Sequence, residues 1–239
     1  MNIECKLPGL TIDISHDEDH ALLNFSQPVQ TLSSALYKGG RQELLHVLNM
    51  KVHHNKSDEY EGYEHPHISL KKKAAELGVT TAFAGMMTSA SMKSFRYNSI
   101  VEDELAVFCC LTAGLTNARA AGDKADFREL DAHRAGNGTI NIIAGTNAEL
   151  SEAAMAEALM IVTEARCSSV MKYGVQSRVS DSTATGTGTD SNLIFSGSGP
   201  ELHFCGKHTL LGEMLARVVI EPMEEVIRII QQMEKDKII

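Results

Sequence analysis

The sequence predicts an α/β (α+β) fold, a single domain over residues 1–239 in which helices cover a mixed β-sheet. Three observations predict it. Strand-length apolar runs follow one another through the first 145 residues, several without a helix between them. Helical patterns dominate after residue 150. No low-complexity linker or internal repeat divides the chain, and its length is ample for one core.

In order, residues 10–14 alternate weakly, residues 21–25 form a short apolar run, and residues 43–53 form a longer one that ends at a polar break. Residues 54–64 are charged and loop-like. Pro66 opens a helix over 66–77, where its missing donor is harmless in the first turn, and Gly78 closes it. Residues 79–85, 104–111 and 138–145 read as three further strands. Ser151 is an N-cap, with Leu150 placed to staple against Met155, and the helix it starts runs to about Met171. That helix is apolar or Ala on nearly every face, as expected of burial on more than one side. Residues 210–220 form an amphipathic helix with Leu211, Leu215 and Val218 on one stripe. Pro222 starts a last helix with Glu224 and Glu225 in its first turn, where the helix dipole favours them.

Composition narrows the function. Hydrophobic residues make up 43% and charged ones 22%, and mean hydropathy is −0.12. This is globular composition. Lys and Arg total 22 against 31 Asp and Glu, a net charge of −9, and no basic run exceeds Lys71-Lys72-Lys73. A nucleic-acid partner is therefore not expected, and the absence of Trp argues against a base-stacking platform. Cys5, Cys109, Cys110, Cys167 and Cys205 are odd in number and contain no CxxC pair, so neither a disulfide framework nor a zinc knuckle is expected. With no apolar run behind a basic stretch at residues 1–6 and no long uncharged apolar segment, the expectation is a cytoplasmic chain without membrane insertion.

The most unusual segment is Ser182-Thr-Ala-Thr-Gly-Thr-Gly-Thr-Asp190. If extended, it puts hydroxyls on one face and nearly bare backbone on the other, with Asp190 on the bare side. It reads either as a ligand platform edged by a carboxylate or as a Gly-rich loop with capping hydroxyls. A second group, Thr112-Ala-Gly-Leu-Thr-Asn117-Ala-Arg119, follows a strand; its Gly114 permits a tight turn that leaves Asn117 and Arg119 free to grip carbonyls or amides. Asn141 lies on the opposite face from Ile140 and Ile142, and an amide there costs about 1–3 kcal/mol if unpaired, so it bonds to backbone or to a ligand. Glu164 shares a helical side with Ala153, Glu157 and Met160, opposite Met155, Val162 and Ser169. Buried, it would suit a general base; exposed, it is a solvated charge. His16 and His20 share a possible helical face, and His53, His54, His65 and His67 gather near a polar loop. A metal needs three convergent ligands, so no metal site is expected.

Taken in order, residues 112–119, Gly138-Thr-Ile-Asn141, Thr163-Glu-Ala-Arg166, residues 184–190 and Cys205-Gly-Lys-His-Thr-Leu-Leu-Gly212 resemble the adenosylcobinamide amidohydrolase family, CbiZ. The resemblance covers residues 79–219, and the first 78 residues match only loosely. It implies hydrolysis of the amide joining aminopropanol to the corrin ring of adenosylcobinamide, giving adenosylcobyric acid. The adenosylated corrinoid is then substrate, and no cofactor is implied. A corrin is a flat cationic macrocycle fringed with amides. A bare Gly face, Asn and Thr groups and a net-acidic chain all suit it.

The family marks these positions without assigning their roles. One scheme gives Asp190 or Glu164 the base role on water, Asn117 and Asn141 the scissile carbonyl or neighbouring carboxamides, and His208 the protonation of aminopropanol. Arg119, Thr185, Gly186, Gly188 and Thr189 then complete the substrate contacts. A second scheme makes Thr187 the nucleophile of an acyl-enzyme. A corrinoid carrier without chemistry and an amidohydrolase of another amide are the alternative functions. Met-rich and Ala-rich helical surfaces suit a homodimer. Asp131-Ala-His133-Arg-Ala-Gly136 also fits the DxHxxG pattern of cobalt-ligating domains, but it precedes a strand and lacks their doubly wound repeats, so it is read as coincidence.

Overall fold

The computed structural model describes residues 1–52, 64–126 and 138–236. The chain opens with an antiparallel meander: β1 (Asn2–Leu7), β2 (Leu10–His16), β3 (His20–Ser33) and β4 (Gly40–Lys51). Helix α1 (Pro66–Glu76) then leads to β5 (Phe83–Thr88), parallel to β4, and a single 3₁₀ turn leads to the hairpin of β6 (Arg96–Glu102) and β7 (Leu105–Ala113). The two-residue β8 (Ala118–Arg119) precedes β9 (Ile140–Thr146), and β10 (Glu149–Leu150) leads into α2 (Glu152–Lys172). The chain ends with β11 (Gly186–Thr187), β12 (Ser191–Ser196), β13 (Glu201–Leu202) and α3 (Leu210–Lys235). The mixed sheet runs β1-β2-β3-β12-β9-β7-β6, with β4 and β5 joined through β3.

Strands β7 and β9 read as continuous apolar runs because both of their faces are covered. On one face Val107, Cys109, Leu111, Ile140, Ile142 and Ile194 pack against α2 and α3. On the other, Phe108, Cys110, Ile143, Leu193 and Phe195 meet the inward side chains of β1 to β5. Helix α1 seals the outside of that meander through Leu70 and Ala74, against Leu22, Leu48 and Phe83. The α+β class and the single mixed sheet are as expected from the sequence.

Several elements differ from expectation. The 21–25 run is the start of a 14-residue strand, β3, that continues through Pro28. Its register with β4 shifts between Asn24 and Val29, and Pro28 sits in that irregularity, where no ladder donor is required. The 79–85 strand lies later, as β5. β1, β6 and β12 were not expected, and β12 sits at the centre of the sheet, parallel to β9 and antiparallel to β3. Pro222 does not start a new helix; α3 runs through it, because Leu211, Leu215, Val218, Met223 and Val226 form one buried face. His16 and His20 flank the β2–β3 turn rather than a helix. His53, His54 and the 131–136 match lie outside the described residues.

Candidate functional site

The motif segments meet at one end of the sheet. There β7 ends at Ala113, β9 begins at Ile140 and β12 begins at Ser191. The register pairs Asn141 with Thr112 on one side and with Ser191 on the other. The segment before β12 folds back so that β11 pairs with β8, Gly186 opposite Arg119 and Thr187 opposite Ala118.

Asp190 ties this end together. Its Oδ2 accepts from the Thr187 backbone N–H at 2.8 Å and from Arg166 Nη1 at 3.0 Å. Its Oδ1 accepts from the Ile140 N–H at 3.1 Å and from the Thr187 hydroxyl. The two side chains of the ion pair are 9% and 12% exposed, Asp190 and Arg166 respectively. Four donors occupy the four acceptor positions of the carboxylate. Gly186 is required here, because a Cβ would overlap Asp190 Oδ2 and sit 3.2 Å from Arg166 Nε.

Asn117 and Arg119 cover the next glycine. A Cβ on Gly188 would lie 2.6 Å from Asn117 Nδ2 and 3.1 Å from Arg119 Nε. Arg119 Nε donates to Asn117 Oδ1 at 3.3 Å, and its Nη2 pairs with Asp126 at 2.5 Å. The Gly188 N–H returns a bond to the Asn117 carbonyl at 3.1 Å. Thr185 Oγ1 accepts from the Ala121 N–H at 3.0 Å. The Thr189 hydroxyl lies 2.7 Å from that of Thr139 and donates to the Gly138 carbonyl at 3.1 Å. The bare glycine face is therefore covered by the protein's own side chains: the short β11 turns at Gly188 rather than extending as a platform.

A second, uncharged network begins one residue into β9. Asn141 Nδ2 donates to Asn49 Oδ1 at 2.8 Å and to the Met87 carbonyl at 2.9 Å, while Asn49 Nδ2 donates to Thr112 Oγ1 at 3.0 Å. Asn141 Oδ1 is buried without a partner among the described residues. The groups at this end are thus amides and hydroxyls around two ion pairs, Asp190–Arg166 and Arg119–Asp126.

A family model described as adenosylcobinamide amidohydrolase, CbiZ, matches residues 8–234. The chain belongs to this family. It is 27% identical over 216 residues to the adenosylcobinamide amidohydrolase of Methanosarcina mazei, covering 86% of this chain and 93% of that one. It is 33% identical over 183 residues to an uncharacterized protein of Methanocaldococcus jannaschii, covering 71% of this chain and 68% of the other. Among solved structures, a protein of Pyrococcus horikoshii aligns with a TM-score of 0.40 and 10% identity over 86% of this chain and 77% of that one. The match to the amidohydrolase family begins at residue 8, so the first 78 residues, whose motifs resemble the family only loosely, fall largely inside it.

Two candidates for the amidohydrolase chemistry are not among the groups bonded to Asp190. Glu164 is 51% exposed and paired with Lys207, so it is the solvated charge rather than a buried base. His208 is exposed in the turn before α3, its ring against Gly206. Asp190 is at the centre, but with every acceptor position filled it offers no oxygen to a water. Among the described residues no three His, Cys, Asp or Glu side chains converge as a metal site would need, and no helix is long and apolar enough to cross a membrane.

Sequence reasoning missed Arg166 and Asn49. Arg166 closes a motif that was noted, but nothing in a helical pattern says that a guanidinium reaches a carboxylate 24 residues later. Asn49 carried the same signal as Asn141, an amide in the apolar run of β4. A buried amide implies a partner, and here the two amides partner each other.

Proposed function

We propose that the protein hydrolyses the amide joining aminopropanol to the corrin ring of adenosylcobinamide, releasing adenosylcobyric acid. The observation that carries this reading is the union of the 112–119, 138–141 and 184–190 segments into one hydrogen-bonded unit that presents amides and hydroxyls. A macrocycle fringed with carboxamides is recognised by such groups, and a neutral site admits a cationic ring without repelling it.

The geometry favours the hydroxyl scheme over the carboxylate scheme. Thr187 donates its hydroxyl to Asp190, so its proton already has an acceptor. In this mechanism Thr187 Oγ1 attacks the amide carbonyl carbon and the C–N bond breaks. The hydroxyl proton passes by way of Asp190 Oδ1 to the departing amine nitrogen, leaving a threonyl ester. Water then hydrolyses the ester, returning the hydroxyl and giving the carboxylic acid. With Arg166 and two backbone N–H groups already bonded to its oxygens, Asp190 relays the proton in the transition state and does not store it. Asn117 Nδ2 stands over Gly188, beside Thr187, where an amide donor can stabilise the developing oxyanion.

The test is incubation of the purified protein with adenosylcobinamide, with products resolved by chromatography and mass. Release of aminopropanol with adenosylcobyric acid is the expected result. Substrate bound and returned intact would replace the reading with a carrier. Equal turnover of simple amides would replace it with a less selective amidohydrolase.

A further inference from the structure

Asn141 is 1% exposed, and both hydrogens of its amide nitrogen are spent inside the protein, on Asn49 Oδ1 and on the Met87 carbonyl. The Met87 carbonyl can only accept, so it fixes which way the amide faces: the nitrogen must point to β5 and the oxygen away from it. That oxygen has no donor among the described residues. Buried acceptors are rarely left so, and one that is marks a bond still to be made. It lies at the end of the sheet where the Thr187–Asp190 unit is fastened to β9 through the neighbouring Ile140 N–H.

We infer that Asn141 Oδ1 is the acceptor for an amide N–H of the bound ligand. This narrows the role expected from the sequence, which was the scissile carbonyl or a neighbouring carboxamide: a side chain with both hydrogens already donated holds no carbonyl and takes only a donor. The Asn49–Thr112 pair behind it is the positioning element, holding the acceptor still through Asn49 Oδ1. Specificity follows. A ligand whose amide bears an N–H satisfies the site, whereas an ester or a fully N-substituted amide leaves the buried oxygen unpaired. That the ligand is a corrinoid rests on the proposed function; the polarity of the contact does not.

The experiment is a set of crystal complexes of the full chain with adenosylcobinamide, adenosylcobyric acid, propionamide and N,N-dimethylpropionamide. The expected result is a ligand nitrogen at hydrogen-bond distance, about 2.7–3.2 Å, from Asn141 Oδ1. Its presence with adenosylcobyric acid identifies a carboxamide of the ring fringe, and its presence with adenosylcobinamide alone identifies the scissile amide. Propionamide seated there, with neither corrinoid bound, would uphold the contact while removing the corrinoid reading. A water or protein donor on Asn141 Oδ1 that persists in every complex would overturn the inference. So would N,N-dimethylpropionamide binding as propionamide does. In solution, Asn141→Ser is expected to weaken corrinoid binding, followed by its visible spectrum, on the order of tenfold.

Discussion

Asp190→Asn separates a carboxylate that holds the fold from one that works as a free base. The substitution keeps the shape but removes the charge that Arg166, 12% exposed, is paired with. It also turns an NH₂ group towards donors, since each oxygen of Asp190 accepts from two of them. Breaking one side of a buried ion pair costs about 3–5 kcal/mol. With unfolding entropy of about 2.1 cal/mol/K per residue over 239 residues, that cost lowers Tm by about 6–10 °C. Glu164→Gln, at a surface pair 51% and 71% exposed, is expected to shift Tm by less than about 2 °C. Adding Arg166→Met to Asp190→Asn removes the stranded charge, so the double variant should be no less stable than the single one. Differential scanning calorimetry reads all of these. Turnover is lost in either case, because Asp190 also takes the Thr187 proton; an Asp190→Asn protein that melts with the wild type would refute the structural role.

Thr187→Ala is expected to abolish turnover while Thr187→Ser keeps a measurable fraction, and acid-quenched mass spectrometry should find the acyl adduct on residue 187; full activity of the Ala variant would discard the hydroxyl scheme. The hydroxyls of Ser177 and Ser180 and the Ala120 N–H hold Asp123 below the usual carboxylate range. The stability this contact contributes is therefore complete above the unfolded carboxylate pKa of about 4 and is lost as pH falls through the lower folded value. Hydrogen-exchange protection, taken relative to the intrinsic rate at each pH, should fall at residues 120–123 and 177–180 between about pH 5 and about pH 3, and unchanged protection would remove Asp123 as the anchor of that loop. Burial and the neighbouring Glu157 charge push the Cys205 thiol up to about 12, and burial raises Cys109 and Cys110 as well. Iodoacetamide at about pH 8 should therefore label the half-buried Cys167 first; equal labelling of Cys205 would contradict its burial.

The parts of the fold legible in the sequence are those with one unambiguous period. β7 and β9 are covered on both faces, and α1 and α2 carry their end signals beside them: Pro66 and Gly78 bound α1, and Ser151 accepts from the first turn of α2. What was not legible depended on partners. β6 is an edge strand whose residues are mostly exposed or half-exposed, so it shows no apolar run. β12 follows directly on the Thr–Gly segment and has too few residues to declare itself, although pairing with β3 and β9 buries five of its six. Pro222 is a local stop signal, and in α3 it is overruled by the continuous apolar face that packs over β6 and β7. Tertiary burial outweighs a single missing hydrogen bond there.

In the site, the sequence picks out the right segments but not the charge state of their work. Asp190 and Glu164 both look like bases when only their neighbours along the chain are visible. One is filled by four donors, three of them from the Thr187 and Ile140 segments and one from a helix, so the only proton within its reach is that of Thr187. The other is disarmed by water and Lys207. Asn141 is narrowed in the same way: its residue type permits either polarity, and only the Met87 carbonyl decides that the acceptor end is the one left over. A motif therefore locates this chemistry, while the count of donors and acceptors already spent around each polar atom decides which part of it a residue can perform.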